Sequence, residues 1–460
     1  MADKYGLIVI GAGPGGYVAA VEAAKLGIKT AVVENREIGG TCLNRGCIPT
    51  KTFVHATELL DEIRICDRMG IKVSAVSYDV DGLYARKNEV VEHLQSGIES
   101  LFKKNKIDLI KGKAVIEGEG VVRVIGSDDA NVLYNADNIL IASGSKPAQP
   151  LIPGLDLPGV VTSDDLLGAR HDIFSKLIII GGGVIGVELA SIYNALGTEV
   201  TIIEAADRIV PFFDKEVSQS LSMILKKKGV AIHTGAMVKN IEYKGDLNCC
   251  FTLKGKEETV TAEGVLIAIG RVANTEGLLA ETVDLGLERG EIPVDKNFET
   301  CVKGIYAIGD VVKGTIKLAH MASAQGTNVA HIIAGAEPPI ELSLVPSCLY
   351  TSPEIASVGI TADTAKAQGI SVKTGKALMS ANGKTIIEMA DRGFIKLIFN
   401  AETDVLLGAQ LMCCRATDMI GELAVAIANK LTIRDLRKVI KPHPTFNEAI
   451  RDAIEAAFLK

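Results

Sequence analysis

The chain contains one pattern of apolar and polar positions twice. Residues 4–34 read KYGLIVIGAGPGGYVAAVEAAKLGIKTAVVE, and residues 176–204 read KLIIIGGGVIGVELASIYNALGTEVTIIE. Each copy opens on an unbroken apolar run, the signature of a strand buried on both faces. Each passes through G-x-G-x-x-G (Gly11, Gly13, Gly16; then Gly181, Gly183, Gly186) into a segment rich in Ala, Leu and Val at helical period. A Leu-Gly step follows, with Gly27 or Gly197 as the helix stop. A second apolar run ends on an acid, Glu34 or Glu204, at the same distance from the first glycine in both copies. The pattern predicts two βαβ units. Nearer the C-terminus, residues 345–359 and 393–399 read as strands, and helices are expected after Asp418. Alternation there is too loose to order the strands.

A βαβ unit with these glycines is suited to a dinucleotide. The first glycine makes the tight turn, the second admits a pyrophosphate close to the backbone, and the third lets helix and strand pack. The helix N-terminus offers free N–H groups and a positive dipole end to the phosphates. The closing acid can accept hydrogen bonds from ribose hydroxyls. At Glu204 a carboxylate would repel a 2′-phosphate, which favours NAD over NADP. One G-x-G-x-x-G is weak evidence of binding; two copies with matched strands, helix and acid are strong. Two dinucleotides on one chain suggest an electron relay in which one stays bound and one exchanges.

Length adds a domain count: 460 residues imply roughly three domains at about 150 each. The many glycines and the lack of Trp suit α/β domains. A net charge of -7 gives no basic face for nucleic acid and no polybasic patch for anionic lipid. The apolar run from Tyr5 to Val21 imitates a signal peptide, but five glycines interrupt it and Asp3 spoils its positive flank. No other stretch has a membrane-spanning length without charges. A soluble, cytoplasmic protein is expected. The nine cysteines are an odd number in a long chain with no C-x-x-C pair. That disfavours both a secreted disulfide framework and structural zinc. Cys249-Cys250 and Cys413-Cys414 are read as small buried hydrophobes.

Directly after the first unit, residues 39–51 read GGTCLNRGCIPTK. Cys42 and Cys47 are five apart, an offset that turns side chains away from each other on a regular helix. A disulfide needs Cα atoms within about 7 Å. Bridging therefore requires a distorted helix start, which Gly46 and Pro49 permit. A thiol at a helix N-terminus also has a lowered pKa. On spacing alone, two unpaired cysteines in a loop fit as well. Their place beside a dinucleotide unit favours a catalytic pair.

With these motifs the sequence resembles the pyridine nucleotide–disulfide oxidoreductase family over essentially its whole length. The 39–51 segment is most similar to the members that oxidise a dihydrolipoyl group. The resemblance implies an α/β fold: two Rossmann-like domains for FAD and NAD, and a C-terminal α+β dimerisation domain. The implied boundaries are 1–143 plus 271–343 for FAD, 144–270 for NAD and 344–460 for dimerisation. Carried onto this sequence, Cys42 and Cys47 form the redox disulfide. Gly11, Gly13, Gly16, Glu34, Ala114, Ser143, Gly144, Ser145, Asp310 and Ala319 serve FAD. Gly181, Gly183, Gly186, Glu188, Glu204, Val238 and Gly270 serve NAD. Ser143 stands where the family usually has Thr, and Ala273, in the motif that ends the NAD domain, where Pro is commoner. Lys51 and Glu188 resemble an ion pair beside the flavin, where a cation stabilises reduced flavin.

A loop histidine is ordinarily polar surface. The segment KPHPTFNE (441–448) nonetheless resembles the family's catalytic dyad, with His443 as base and Glu448 as its orienting carboxylate. His320 is read as structural. The resemblance further implies a homodimer in which the dyad reaches the other subunit's cysteines. It implies a lipoyl group carried by another protein, either the acyltransferase of a 2-oxo acid dehydrogenase complex or a glycine-cleavage carrier. Reduction of some other disulfide remains open, as does a redox-inactive flavoprotein; the intact Cys42, Cys47, His443 and Glu448 speak against the second.

Overall fold

The computed structural model describes residues 4–126, 130–168, 173–390 and 393–459. Both predicted βαβ units form. In the first, strands Tyr5–Ile10 and Thr30–Glu34 lie parallel, with helix Pro14–Lys25 between them in sequence. In the second, strands Lys176–Ile180 and Glu199–Glu204 flank helix Val184–Ala195. The Leu-Gly steps end both helices as expected. Gly27 and Gly197 take left-handed φ of 86° and 97°, and the N–H groups of Ile28 and Thr198 return to the last-turn carbonyls of Ala23 and Tyr193.

The first unit lies in a seven-stranded sheet. Its long strand Asn131–Ile141 changes role along its length. Residues 131–135 pair antiparallel with Val121–Ile125, and residues 136–141 run parallel to Tyr5–Ile10. Strand Ile305–Ala307 returns much later in the chain to the free side of Asn131–Ile141, so this sheet is built from two separated segments. The second unit centres a five-stranded parallel sheet, overlaid by the antiparallel strands Ala236–Tyr243, Leu247–Leu253 and Lys256–Ala262. The chain crosses between the two sheets at Ser145–Pro147 and Arg271–Ala273, which pair antiparallel.

The C-terminal region supplies the strand order that the sequence withheld. Five antiparallel strands run Ser347–Leu349, Ile355–Gly359, Leu406–Met412, Phe394–Asn400, Val372–Leu378 across the sheet. Helices Ala416–Ala428 and Glu448–Phe458 cover one face. The other face presents Leu349, Ile355, Phe394 and Met412 to a core shared with Phe53, Val54 and Tyr84 of the first region and Val187 and Leu189 of the second. At roughly 1.5–3 kcal/mol for each fully buried large apolar side chain, this shared core is what holds the three regions against one another. Cys413 and Cys414 follow strand Leu406–Met412; Cys413 is buried and Cys414 half-buried. Cys249 is buried on its strand, and burial pushes its thiol up to about 12.

Candidate active site

The expected distortion between the two cysteines is a clean break. Helix Gly40–Arg45 stops at Gly46, whose φ and ψ of -142° and -112° are not helical, and helix Cys47–Ile65 restarts at the next residue. The break brings Cys42 and Cys47 to a Cα separation of 4.6 Å, and they are disulfide-bonded. Both are half-buried. Cys47 sits at the first position of a 19-residue helix, so after reduction its thiolate would face the positive end of the helix dipole. Gly46 is required by space: a Cβ there would lie 2.9 Å from the Thr41 carbonyl oxygen and 3.2 Å from the Cys42 Cα. Gly46→Ala is expected to force the two helices apart, cost about 1–3 kcal/mol, and slow re-oxidation of the pair. Thermal melts and thiol counting after mild oxidation check this; a variant that re-oxidises like the parent would contradict it.

One turn after Cys47, Lys51 Nζ bonds Glu188 Oε2 at 2.8 Å. Glu188 comes from the helix of the second unit, and its side chain is 4% exposed. Its other oxygen accepts the Tyr350 backbone N–H at 2.9 Å, and the Lys51 ammonium lies 4.4 Å from the centre of the Tyr350 ring. Three regions of the chain therefore meet at one cation. Sequence reading anticipated Lys51 and Glu188 but missed Tyr350, because nothing local in residues 345–359 points toward residue 51.

Further along the same helix, Glu58 faces Glu354, whose Oε2 accepts both the N–H and the hydroxyl of Thr417. Burial first, then repulsion from Glu354 and Glu62, pushes the Glu58 carboxyl up to about 7, against the opposing charges of Arg415 and Lys228. A carboxyl raised in the folded state stabilises the fold below its unfolded value, and that contribution is lost as pH rises through about 7. Glu58→Gln should therefore gain stability over the parent at pH 8, on the order of 1 kcal/mol after solvent screening, and gain little at pH 5. Melting curves across this range give the comparison, and parallel pH profiles for the two proteins would refute the assignment.

The two glycine turns have matching geometry. Gly11 and Gly181 have φ of +103° and +110°, and a Cβ on either would strike the carbonyl oxygen of Ala142 or Ala268 on the adjacent strand. A Cβ on Gly16 or Gly186 would strike the carbonyl oxygen of the first glycine. At the second glycines there is room: nothing lies within 4 Å of a Cβ on Gly183, and only the Gly40 Cα, at 3.9 Å, does so on Gly13. The closing acids match as well. Glu34 accepts the N–H groups of Ala12 and Arg36, both at 2.8 Å. Glu204 accepts those of Gly182 and Ala206, at 2.5 and 2.6 Å. Each carboxylate oxygen keeps a lone pair for a ribose hydroxyl.

Around the first turn, the Ser145 hydroxyl donates to Asp310 at 2.6 Å. Asp310 lies in the single turn Gly309–Val311, braced by Gln325 accepting the Gly309 N–H. Helix Ala319–Ile333 starts beside it and packs along helix Pro14–Lys25. The Ser143 hydroxyl is buried with no hydrogen-bond partner among the described residues. Such an orphan costs about 1–3 kcal/mol. Together with the open cradle at Gly13, it fits a bound dinucleotide that supplies the missing partner. Gly144 has a φ of 68° in the same loop, and Ala114 is buried on strand Lys113–Gly118. Near the second turn, Val238 is half-buried at a strand irregularity, and Gly270 is exposed with a φ of 122°.

His443 lies just before the C-terminal helix Glu448–Phe458. Its Nδ1 is 2.9 Å from Glu448 Oε1, and the Thr445 N–H donates to Glu448 Oε2 at 3.0 Å. The His443 hydrogen bond and then the Thr445 N–H hold the Glu448 carboxyl below its usual range. With Nδ1 donating to the carboxylate, Nε2 is left as the basic nitrogen. The His443 side chain is 77% exposed, and its partner among the described residues is Glu448. His320 Nε2 lies 2.8 Å from the Pro346 carbonyl oxygen, a structural contact.

Among the described residues no His, Cys, Asp and Glu cluster suits a metal ion, and no helix is long and apolar enough to cross a membrane. Two enzymes of Bacillus subtilis (strain 168) named dihydrolipoyl dehydrogenase are 40% and 41% identical to this chain, over 99% and 98% of it and 98% and 96% of their own lengths. A third of that name, from Geobacillus stearothermophilus, is 38% identical over 98% of the chain and 95% of its own. Among solved structures, a Cu(II) complex of an HOCl-induced flavoprotein disulfide reductase from Escherichia coli superposes with a TM-score of 0.88. It is 30% identical and covers 98% of this chain and 99% of its own. The sequence pattern described as "Pyridine nucleotide-disulphide oxidoreductase" spans residues 5–326, and its dimerisation-domain counterpart spans residues 345–454. Those two matches cover nearly all of a chain that sets a Cys42–Cys47 disulfide beside paired dinucleotide cradles, and the chain belongs to the pyridine nucleotide–disulfide oxidoreductase family.

Proposed function

We propose that this protein is a dihydrolipoyl dehydrogenase, oxidising a protein-borne dihydrolipoyl group to the lipoyl disulfide with NAD⁺ as acceptor. The observation that carries the reading is the Cys42–Cys47 disulfide at the head of the helix whose Lys51 pairs with Glu188. Similarity to enzymes of that name at about 40% identity supports this substrate over the alternative suggested by the Escherichia coli reductase at 30%.

FAD in the first cradle would supply a two-electron acceptor, and NAD⁺ in the second would carry the electrons away. Gly11, Gly13, Gly16, Glu34, Ala114, Ser143, Gly144, Ser145, Asp310 and Ala319 would hold the first. Gly181, Gly183, Gly186, Glu188, Glu204, Val238 and Gly270 would hold the second. Lys51 would place its positive charge where reduced flavin gathers negative charge.

His443 removes a proton from one substrate thiol. The thiolate attacks Cys42 Sγ, the Cys42–Cys47 bond breaks, and Cys47 leaves as a thiolate. The second substrate thiol then attacks the first substrate sulfur, its proton passing to the departing Cys42 sulfur. That step closes the lipoyl disulfide and releases Cys42, so the substrate loses two electrons and the cysteine pair gains them. Glu448 holds the imidazole and offsets its positive charge.

The base is supplied across a homodimer. Supporting this are the exposed His443 and the exposed apolar residues Val439 and Ile440 just before it in the chain, at 50% and 93% exposure. A second copy would cover such a face. Domains at 1–143 with 271–343, 144–270 and 344–460 complete the proposal, together with a cytoplasmic location. The partner would be the lipoyl-bearing acyltransferase of a 2-oxo acid dehydrogenase complex or a glycine-cleavage carrier. The test is NAD⁺ reduction with dihydrolipoamide compared with other dithiols. Strong preference for dihydrolipoamide is expected; equal rates with unrelated dithiols would overturn the substrate.

A further inference from the structure

We propose that Arg271 is a positioning residue which links the flavin-side carboxylate Asp310 to the second dinucleotide unit through one guanidinium. The inference rests on the reading that FAD and NAD fill the two cradles. Arg271 opens the strand by which the chain returns from the second sheet to the first, and it pairs there with Pro147 on the outgoing strand. Its side chain is 14% exposed. Nε donates to Ser145 Oγ at 2.8 Å and Nη2 to the Ser145 carbonyl at 2.8 Å, while Nη1 reaches Asp164 Oδ1 at 3.1 Å.

The direction of this relay is fixed by chemistry. A guanidinium only donates, so the Ser145 oxygen accepts from Arg271 and its single proton goes to Asp310 Oδ2, 2.6 Å away. The guanidinium thus polarises the one hydroxyl that donates to the Asp310 carboxylate. The third arm goes elsewhere. Asp164 lies in the first turn of helix Ser163–Leu167, which leads directly off Val160–Thr162, a strand of the second sheet paired with Gly264–Ile267. The far end of this helix is held from helix Val80–Lys104. There the Tyr84 hydroxyl donates to the Leu166 carbonyl at 2.7 Å, and Lys87 Nζ donates to those of Leu167 and Gly168 at 3.2 and 2.7 Å. The same short helix packs against helix Gly40–Arg45, which carries Cys42. The Arg271 backbone is fixed too, its carbonyl accepting from Lys317, which pairs with Glu291. A lysine cannot reproduce this, having one nitrogen where three donor directions are needed.

The two arms give separable effects. Asp164→Asn weakens only the arm to the second unit. It should keep FAD and the dithiol half-reaction at parent levels while slowing NADH-driven flavin reduction about tenfold. Arg271→Lys weakens both arms. It should release FAD at least ~10-fold more readily, read by flavin fluorescence after dilution, and also slow reduction by NADH. Anaerobic stopped-flow measures the two half-reactions separately, and far-UV circular dichroism checks that each variant is folded. Should Arg271→Lys misfold, Asp164→Asn decides alone. Parent-like FAD retention and NADH reduction in folded Arg271→Lys would overturn the inference, as would equal slowing of both half-reactions in Asp164→Asn. A parent protein that binds no FAD would instead overturn the functional reading and this inference with it.

Discussion

Cys42→Ser is expected to lower dihydrolipoamide-dependent NAD⁺ reduction by at least ~10³-fold, because loss of a covalent nucleophile or its target removes the reaction path itself. An oxygen at position 42 cannot form the mixed disulfide, and Cys47 is then left without its partner across the Gly46 break. The fold should survive, since Cys42 is half-buried on a short helix whose anchors are Leu43 and Arg45. Reduction of bound flavin by NADH should persist, because the second cradle and the Lys51–Glu188 pair do not involve the Cys42 sulfur. Steady-state assays with dihydrolipoamide beside anaerobic NADH reduction give both readings. Turnover within tenfold of the parent would remove the disulfide from the mechanism.

His443→Gln should slow the dithiol half-reaction by about 10²–10⁴-fold, the usual range for loss of a general base. Glutamine keeps a hydrogen-bonding group toward Glu448 but cannot take the thiol proton. NADH-driven flavin reduction should be unchanged, since His443 is exposed and its partner among the described residues is Glu448. Glu448→Gln should lose less, about tenfold, because it orients the imidazole without carrying the proton. Rapid-mixing experiments on each half-reaction separate these cases. Equal losses in both halves would make the dyad a structural element.

What could be read from the sequence was local. Gly11 and Gly181 each sit at the end of a buried strand, and only glycine tolerates their positive φ beside the next strand's carbonyl. Such constraints lie within one βαβ unit, so spacing alone displays them. The break at Gly46 was legible only once the two cysteines were read as a pair, from their place beside the first unit, because bridged cysteines five apart cannot meet on a regular helix. Contacts made by distant segments left no local trace. Tyr350 meets Lys51 only because the C-terminal sheet shares a core with the redox helix. Arg271 meets Asp164 from 107 residues further along the chain. Strand order in the C-terminal sheet was hidden by burial on both faces. In Phe394–Asn400 and Leu406–Met412 nearly every position is buried, so the two-residue alternation that sets register is missing.

The pivotal claim is that the bond between Cys42 and Cys47 exchanges electrons with a flavin held next to it. Anaerobic titration of the purified protein with NADH, followed by flavin absorbance, measures this directly. Uptake of two NADH per flavin is the expected result, one for the disulfide and one for the flavin. An endpoint at one NADH per flavin, with the disulfide intact by thiol counting, would contradict it.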